Sequence, residues 1–348
     1  MATVLLHRRR FQAAAVAAGV CLLSGAARGA GRSEQKRVHI ALAGSNNLQY
    51  LPLTMAAQLG YFEAEGLDVV LTEHSSSARA LQAVNAGGAD LVCGPYAQAL
   101  QMHSRSRPHE AFVLLAHTPA ITVGMSSRGL PGVHTVADLR GRTLGISAPG
   151  SASDLVATRL LHEAGLTPQD VAIVSVGTPA AALAALRAGQ IDALSHGEPL
   201  MTMLEQRGEV RVVSEACSLR GTRRLFGGSL PWSCLHASTD FIVRQPQLVQ
   251  GVTHAVVRAL KWLRQAGPRE LLREVPEPML GGDRGLFLAA MHKLRESMSV
   301  DGVLPQEGAR TALRALTAFE SELGSGRIEA PRTYTNQFAL RAKARFHA

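Results

Sequence analysis

The stretch YLPLTMAAQLGYFEAEGLDVVL, residues 50–71, constrains the fold more than any other part of the chain. It follows VHIALA (38–43), an apolar run of strand length, and the loop GSNNLQY. Pro52 suits the first turn of a helix, where its missing N–H costs nothing. Met55, Leu59 and Phe62 then recur at helical spacing and predict one buried stripe. Gly66 ends the helix by accepting a left-handed conformation, and LDVVLTEH (67–74) supplies the next strand. Strand, loop, helix, strand is the building unit of a parallel sheet.

The order continues and then returns. After the loop SSS (75–77) come a helix, ARALQAVNAG, and a strand, ADLVCG (89–94). A second series runs from the strand TLGISA (143–148) through the loop PGSAS to the helix DLVATRLLHEAGL, with Val156, Leu160 and Ala164 at helical spacing. DVAIVSVG (170–177), the helix AAALAALRAG and QIDALSHG (190–197) complete it. ALQAVNAGGADLV (80–92) aligns on ALAALRAGQIDAL (182–194), with Asp90 over Asp192. Alanine-rich helices align by chance, so the shared order of elements carries more weight than the identities. It predicts an α/β protein of two lobes. RVVSEAC and SCLHASTDFIVR read as strands; from Pro246 helices dominate, at 246–266, 283–299 and 306–323. The late helices return to the first lobe, with crossings near Thr118–Ala120 and Leu235–Thr239. The expected lobes are 36–119 plus 238–348, and 120–237.

A chain of 348 residues with 46% hydrophobic residues suits two such lobes. Residues 1–30 are read as an export signal: Arg8–Arg10 are basic, Ala13–Leu23 are apolar, and small residues follow. Arg8, Arg9 and Phe11 also have twin-arginine spacing, so both the general and the twin-arginine routes stay open. Either predicts a periplasmic protein. Val20 before Cys21 is not small, which disfavours a lipid anchor. The net charge is +9, but the arginines are scattered, three of them form the basic stretch Arg8–Arg10 of the signal, and aromatics are 4% of the chain. A nucleic-acid surface would need a basic stripe with interleaved aromatics, so none is expected. Of the remaining cysteines, Cys93 lies in an apolar strand; Cys217 and Cys234 flank one loop, and their pairing is left open. His74, His117 and His196 lack metal-ligand spacing and are read as structural. No metal site, cofactor or catalytic grouping can be assembled from sequence neighbours, so an enzyme is not expected.

Open α/β sheets bind ligands at the carboxyl ends of their strands. The loops there are rich in Gly, Ser, Thr and Asn. SAPGSASD (147–154) leads from a strand into a helix start, where free N–H groups and the helix dipole favour an anion, with Ser151 and Ser153 as added donors. Ser151 with Asp154 also fits a capping box that needs no ligand. Glu198 in HGEP can meet a ligand cation or hydroxyl, or be solvated. Trp232 in SLPWS can wall a pocket or pack in a core.

LPLTMAAQLGYFEAEGLDVVL resembles the opening signature of the nitrate/sulfonate/taurine class of ABC-transporter substrate-binding proteins, through its early Pro, Ala56, Gly60-Tyr61-Phe62 and Gly66-Leu67-Asp68-Val69. ALQAVNAGGAD, VADLRGRTLGISAPGSASD (136–154) and VTHAVVRALKWLRQ (252–265) are similar to later segments of that class, so the resemblance spans about 38–340. It implies a hinged, two-lobe type II periplasmic binding fold with the ligand cleft between lobes. It also implies a monomer that captures a small, anionic solute and delivers it to an inner-membrane permease and its ATPase. The pocket positions it implies are Asn46, Asn47, Ser76, Tyr96, Ser151, Ser153 and Glu198. Thiamine-pyrimidine synthase-like enzymes resemble the chain in the same Gly-Tyr-Phe region, but the cysteine-rich motif of those enzymes is not found here. A ligand-sensing partner of a receptor is the other alternative.

Overall fold

Ten strands form two five-stranded sheets in a computed structural model that describes residues 36–44, 47–128, 135–167, 169–319 and 328–348. The first sheet contains β1 (Lys36–Ala43), β2 (Leu67–His74), β3 (Leu91–Pro95), β4 (His109–Leu114) and β10 (Ser233–Ser238), in the order β2-β1-β3-β10-β4. The second contains β5 (Ile121–Ser126), β6 (Thr143–Ile146), β7 (Ala172–Ser175), β8 (Ala193–Gly197) and β9 (Val210–Glu215), in the order β7-β6-β8-β5-β9. The expected export signal, residues 1–30, lies outside the described residues, as does Asn46.

Each sheet has three parallel neighbours and one reversed strand, and the reversal has a simple cause. The chain leaves β4 at its carboxyl end, crosses at 115–120, and enters β5 at Ile121, which pairs with Gly197 at the carboxyl end of β8. It crosses back over 216–232 and enters β10 at Ser233, which pairs with Pro95 at the carboxyl end of β3. Crossings that join carboxyl end to carboxyl end make both incoming strands run antiparallel, and they set those ends against each other. The two crossings also bond to one another: Trp232 N–H donates to Ala116 O at 2.9 Å and Leu230 N–H to His117 O at 3.0 Å. The chain is back in the first sheet at Ser233, ahead of the return expected near Leu235–Thr239.

The aligned aspartates do the same work in both sheets. Asp90 Oδ2 accepts from His39 N–H at 2.8 Å, and Asp192 Oδ2 accepts from Thr143 N–H at 2.9 Å. Each carboxylate fastens the sheet's central strand, which it precedes, to the parallel neighbour, β1 or β6.

Two local expectations change. The helix after Pro52 is not continuous: it spans Leu51–Gln58, and a second turn spans Tyr61–Ala64. Gly60 breaks it by adopting φ +69°, which a side chain would resist, while Gly66 takes the left-handed conformation as expected. SCLHASTDFIVR is strand only to Ser238. There the Ser238 hydroxyl accepts from Phe241 N–H at 3.2 Å and caps a helix, Thr239–Arg244.

The long helix Pro246–Gln265 buries Val249, Val252, Val256, Leu260 and Leu263 against the first sheet and against Leu51, Met55 and Phe62. Large aliphatic side chains contribute roughly 1.5–3 kcal/mol each on full burial, so this helix anchors the first core. The helix Arg284–Arg295 adds Phe287, Met291 and Leu294 to it. A second cluster joins Tyr96 and Leu100 to Leu144, Val156 and Trp232, and so runs from one sheet to the other. Cys93, Cys217 and Cys234 are all buried and free, so the pairing left open for Cys217 and Cys234 is not made.

Candidate functional site

A cavity of about 400 Å³ opens where the two sets of carboxyl ends meet. The first sheet supplies Ser77 and Ala78 after β2, and Pro95, Ala97, Gln98 and Gln101 after β3. The second supplies Pro149, Gly150, Ser151, Asp154, Leu155 and Thr158, from the loop after β6 and the helix Ala152–Glu163. The returning crossing gives Leu230, Pro231 and Trp232, and the helix Gln306–Phe319 closes a side with Ala312, Ala315 and Leu316. Walls of proline, leucine and tryptophan, with a few polar groups between them, are the usual makeup of a small-molecule site.

The Ser-Gly loop is built around Ser153 rather than around Ser151. Ser153 is 1% exposed, and its hydroxyl accepts from Ser147 N–H at 2.9 Å. It also meets the hydroxyls of Ser147 and Ser151, each at 2.8 Å, and Ser195 Oγ donates to Ser153 O at 2.8 Å. Ser153 therefore ties the loop, the helix start and β8 together. Ser151 is the helix cap: its hydroxyl accepts from Asp154 N–H at 3.3 Å. Asp154 returns the bond one residue early, with Oδ2 accepting from Gly150 N–H at 2.8 Å.

The helix start that would attract an anion already holds the Asp154 carboxylate, and Asp154 is the one charged side chain among the described residues lining the cavity. An anion placed there would face a like charge.

Of the pocket residues expected from sequence, Ser151 and Trp232 line the cavity. Trp232 is 9% exposed, and its backbone O accepts from Tyr96 N–H at 2.7 Å. Asn47, Ser76, Tyr96, Ser153 and Glu198 are not among its lining residues. Asn47 caps the turn Leu48–Tyr50, with Oδ1 accepting from Gln49 N–H at 2.9 Å. Ser76 caps the helix Ser77–Asn85 through Arg79 N–H at 3.2 Å. Tyr96 is fully buried, and its hydroxyl is bonded to Thr333 Oγ1. Asn46 lies outside the described residues.

Glu198 is neither solvated nor in the cavity. Its side chain is 1% exposed; Oε2 accepts from Thr202 N–H at 2.8 Å, and Oε1 lies 3.9 Å from Lys293 Nζ. Burial, with Glu198 close by, pushes the Cys217 thiol up. Burial lowers His117 and His196. Among the described residues no group of three or more His, Cys, Asp or Glu is placed to hold a metal ion.

Gln98, Gln101 and Thr158 were not singled out by sequence. Gln98 had a signal, as a polar residue on a helix whose neighbours Tyr96, Ala99 and Leu100 are buried. The wall from 312–316 had none, since a helix far along the chain announces nothing about what it covers.

Comparison with known proteins bears on this geometry. A family model described as NMT1/THI5 like matches residues 47–270. A Haemophilus influenzae protein named for thiamine biosynthesis is 27% identical over 160 residues, 46% of this chain and 49% of that protein. The chain thus spans about half the length of that curated relative. A solved structure from Bordetella bronchiseptica RB50 superposes with TM-score 0.82 at 39% identity, covering 90% of this chain and 99% of the other. The alkanesulfonate-binding protein SsuA of Xanthomonas axonopodis pv. citri, bound to MOPS, superposes with TM-score 0.67 at 20% identity, covering 87% and 99%. The two-lobe binding-protein fold expected from sequence is the fold these structures share.

Proposed function

Because the chain belongs to the NMT1/THI5-like family, we propose that it is an exported solute-binding protein that takes a small molecule into the cavity between its sheets and delivers it to an inner-membrane ABC permease and its ATPase. The observation that carries this reading is the shared ownership of the cavity: the end of β3 and the helices after β2 and β3 form one wall, and the loop and helix after β6 form the other. A solute there touches both halves, and its contacts favour whichever separation of the halves lets both walls reach it. The lobes are then the two sheets with their helices, hinged at 115–120 and 216–232. Residues 1–30 would direct export to the periplasm and be removed.

The solute we propose is uncharged or cationic where it faces Asp154 and apolar where it faces Trp232 and Leu230. The Xanthomonas protein binds an alkanesulfonate, and here a sulfonate would have to keep its charge away from Asp154. A thermal-shift screen of pyrimidines, amines, amides, sulfonates and nitrate tests the reading. A true ligand at 100 times its dissociation constant stabilises the fold by about 2.7 kcal/mol. A panel in which nothing stabilises the protein, with no bound solute in the protein purified from its own periplasm, would overturn it.

The name of the Haemophilus relative favours a second reading, a thiamine-pyrimidine synthase-like enzyme. It differs in outcome. An enzyme changes the mass of the solute it binds, whereas a carrier returns it intact on denaturation.

A further inference from the structure

Beneath the cavity wall a chain of hydrogen bonds runs Ser77, Gln98, His236, His109. Gln98 Nε2 donates to Ser77 O at 2.8 Å, Gln98 Oε1 lies 3.4 Å from His236 Nε2, and His236 Nδ1 lies 3.1 Å from His109 Nδ1. Gln98 is 6% exposed, His109 3% and His236 0%. Ser77 and Gln98 line the cavity; the two histidines lie on the paired strands β4 and β10 behind it.

One carbonyl fixes the direction of the whole chain. Ser77 O can only accept, so the Gln98 amide must turn its nitrogen to Ser77 and its oxygen to His236. That oxygen can only accept, so His236 must carry its proton on Nε2. The neutral His236 ring then has Nδ1 as an acceptor, so His109 must carry its proton on Nδ1. The opposite orientation would set the Gln98 oxygen against Ser77 O. Gly94 leaves room for the arrangement, since a Cβ there would stand 2.5 Å from Gln98 Oε1.

We infer that His236 and His109 are positioning residues that lock the Gln98 amide, so that its second Nε2–H is offered to the cavity and the solute must present a hydrogen-bond acceptor to that wall. The amide nitrogen sits beside Ser77, a cavity residue, while its oxygen is turned into the buried pair. With Asp154 on the other wall, the site selects a polarised solute. A carbonyl, sulfonyl oxygen or pyridine-type nitrogen faces Gln98, and a donor or cationic edge faces Asp154. The use of the donor rests on the solute-binding reading, but the direction of the hydrogen-bond chain does not.

The test needs no ligand. Protein labelled with ¹⁵N in histidine and glutamine is studied by long-range ¹H–¹⁵N correlation at pH 7. The expected result is Nε2–H for His236 and Nδ1–H for His109, the less common tautomer in water. Of the two Gln98 amide protons, one is protected from exchange and the other is broadened by the neutral nitroxide TEMPOL. In His236→Phe the two Gln98 protons lose this difference. His109 found as Nε2–H in the wild type would reverse the chain and overturn the proposal, as would equal protection of both amide protons; both readouts hold even if His236→Phe fails to fold. If the tautomers are as stated and no solute in the screen binds, the solute-binding reading fails and the positioning of Gln98 stands.

Discussion

Lys293 Nζ lies 3.9 Å from Glu198 Oε1, and the two residues belong to opposite halves of the molecule. Lys293 is carried by a helix packed into the first core, while Glu198 follows β8 of the second sheet. Lys293 also pairs with Glu205, on the helix Leu200–Gln206. Burial lowers the lysine's affinity for its proton, but the Glu205 hydrogen bond and the charges of Glu198, Glu205 and Glu215 outweigh it and hold the group charged.

Removing this ammonium leaves a carboxylate buried without its counter-charge. Breaking a fully buried pair costs about 3–5 kcal/mol. Lys293 is 25% exposed and its contact with Glu198 is long, so about 2 kcal/mol is expected for Lys293→Met. The double variant Lys293→Met with Glu198→Gln should recover part of the loss. Urea unfolding of the single and double variants reads both. Wild-type stability in Lys293→Met would show that the pair contributes nothing.

The buried histidine pair makes stability depend on pH. Burial, aided by nearby His103, lowers His109 to about 4; an unfolded histidine titrates near 6.5. Between these values the unfolded chain binds more protons than the folded one. The stabilisation is therefore complete above about pH 6.5 and is lost as pH falls towards 4. The difference amounts to about 3 kcal/mol at about 1.4 kcal/mol per unit. His236, lowered further by burial and by His109, pushes in the same direction. His109→Gln keeps a donor for His236 and removes one titration. Urea unfolding between pH 7 and 4 should give a shallower loss in this variant, and an identical loss in both proteins would refute the assignment.

Gly94 is required by the Gln98 amide. A methyl group at Gly94 would meet Gln98 Oε1 at 2.5 Å and Val92 Cγ1 at 3.3 Å. A flexible side chain usually moves aside at little cost, but Gln98 would give up its bonds to His236 and Ser77. Net hydrogen bonds contribute about 1 kcal/mol each, so Gly94→Ala should cost about 2 kcal/mol. In a Gln98→Ala background the same substitution should cost less than 1 kcal/mol. Chemical denaturation of the four proteins gives the coupling directly, and strict additivity would deny the contact.

Much of the scaffold was legible because its signals are local. The run 67–74 is β2 from end to end, Pro52 starts its helix, and Asp90 and Asp192, matched in sequence, hold equivalent strands. The misses lie where a local signal had two uses. Gly60 sits in a pattern that helical spacing alone would carry through, and Ser238 to Arg244 has enough branched and aromatic residues to pass for strand until the serine caps a helix. At the site, hydroxyls at strand ends were the visible signal. Most such polar groups are consumed inside the protein, Asn47, Ser76 and Ser151 as caps and Ser153 as the tie of its loop, while a glutamine and a distant helix form the wall. Which polar groups remain free depends on tertiary pairing, which spacing does not encode.

Ser151 and Ser153 separate cap from scaffold. In the sequence Ser153 stands as a candidate donor to a ligand at the helix start. In the structure it is buried and accepts from the Ser147 N–H inside the loop. Ser153→Ala leaves that N–H and two hydroxyls short of a partner, and a buried unsatisfied donor costs about 1–3 kcal/mol. Ser151→Ala removes the cap of the helix Ala152–Glu163 for about 1 kcal/mol. Ser151 also lines the cavity, so its loss should weaken a solute that bonds there by several-fold. Unfolding curves set beside calorimetric titration with a solute from the screen distinguish the two. Ser153→Ala should be the less stable protein and, where it folds, should bind nearly as the wild type does. A Ser153→Ala protein of wild-type stability with lost affinity would return Ser153 to the site and remove it from the scaffold.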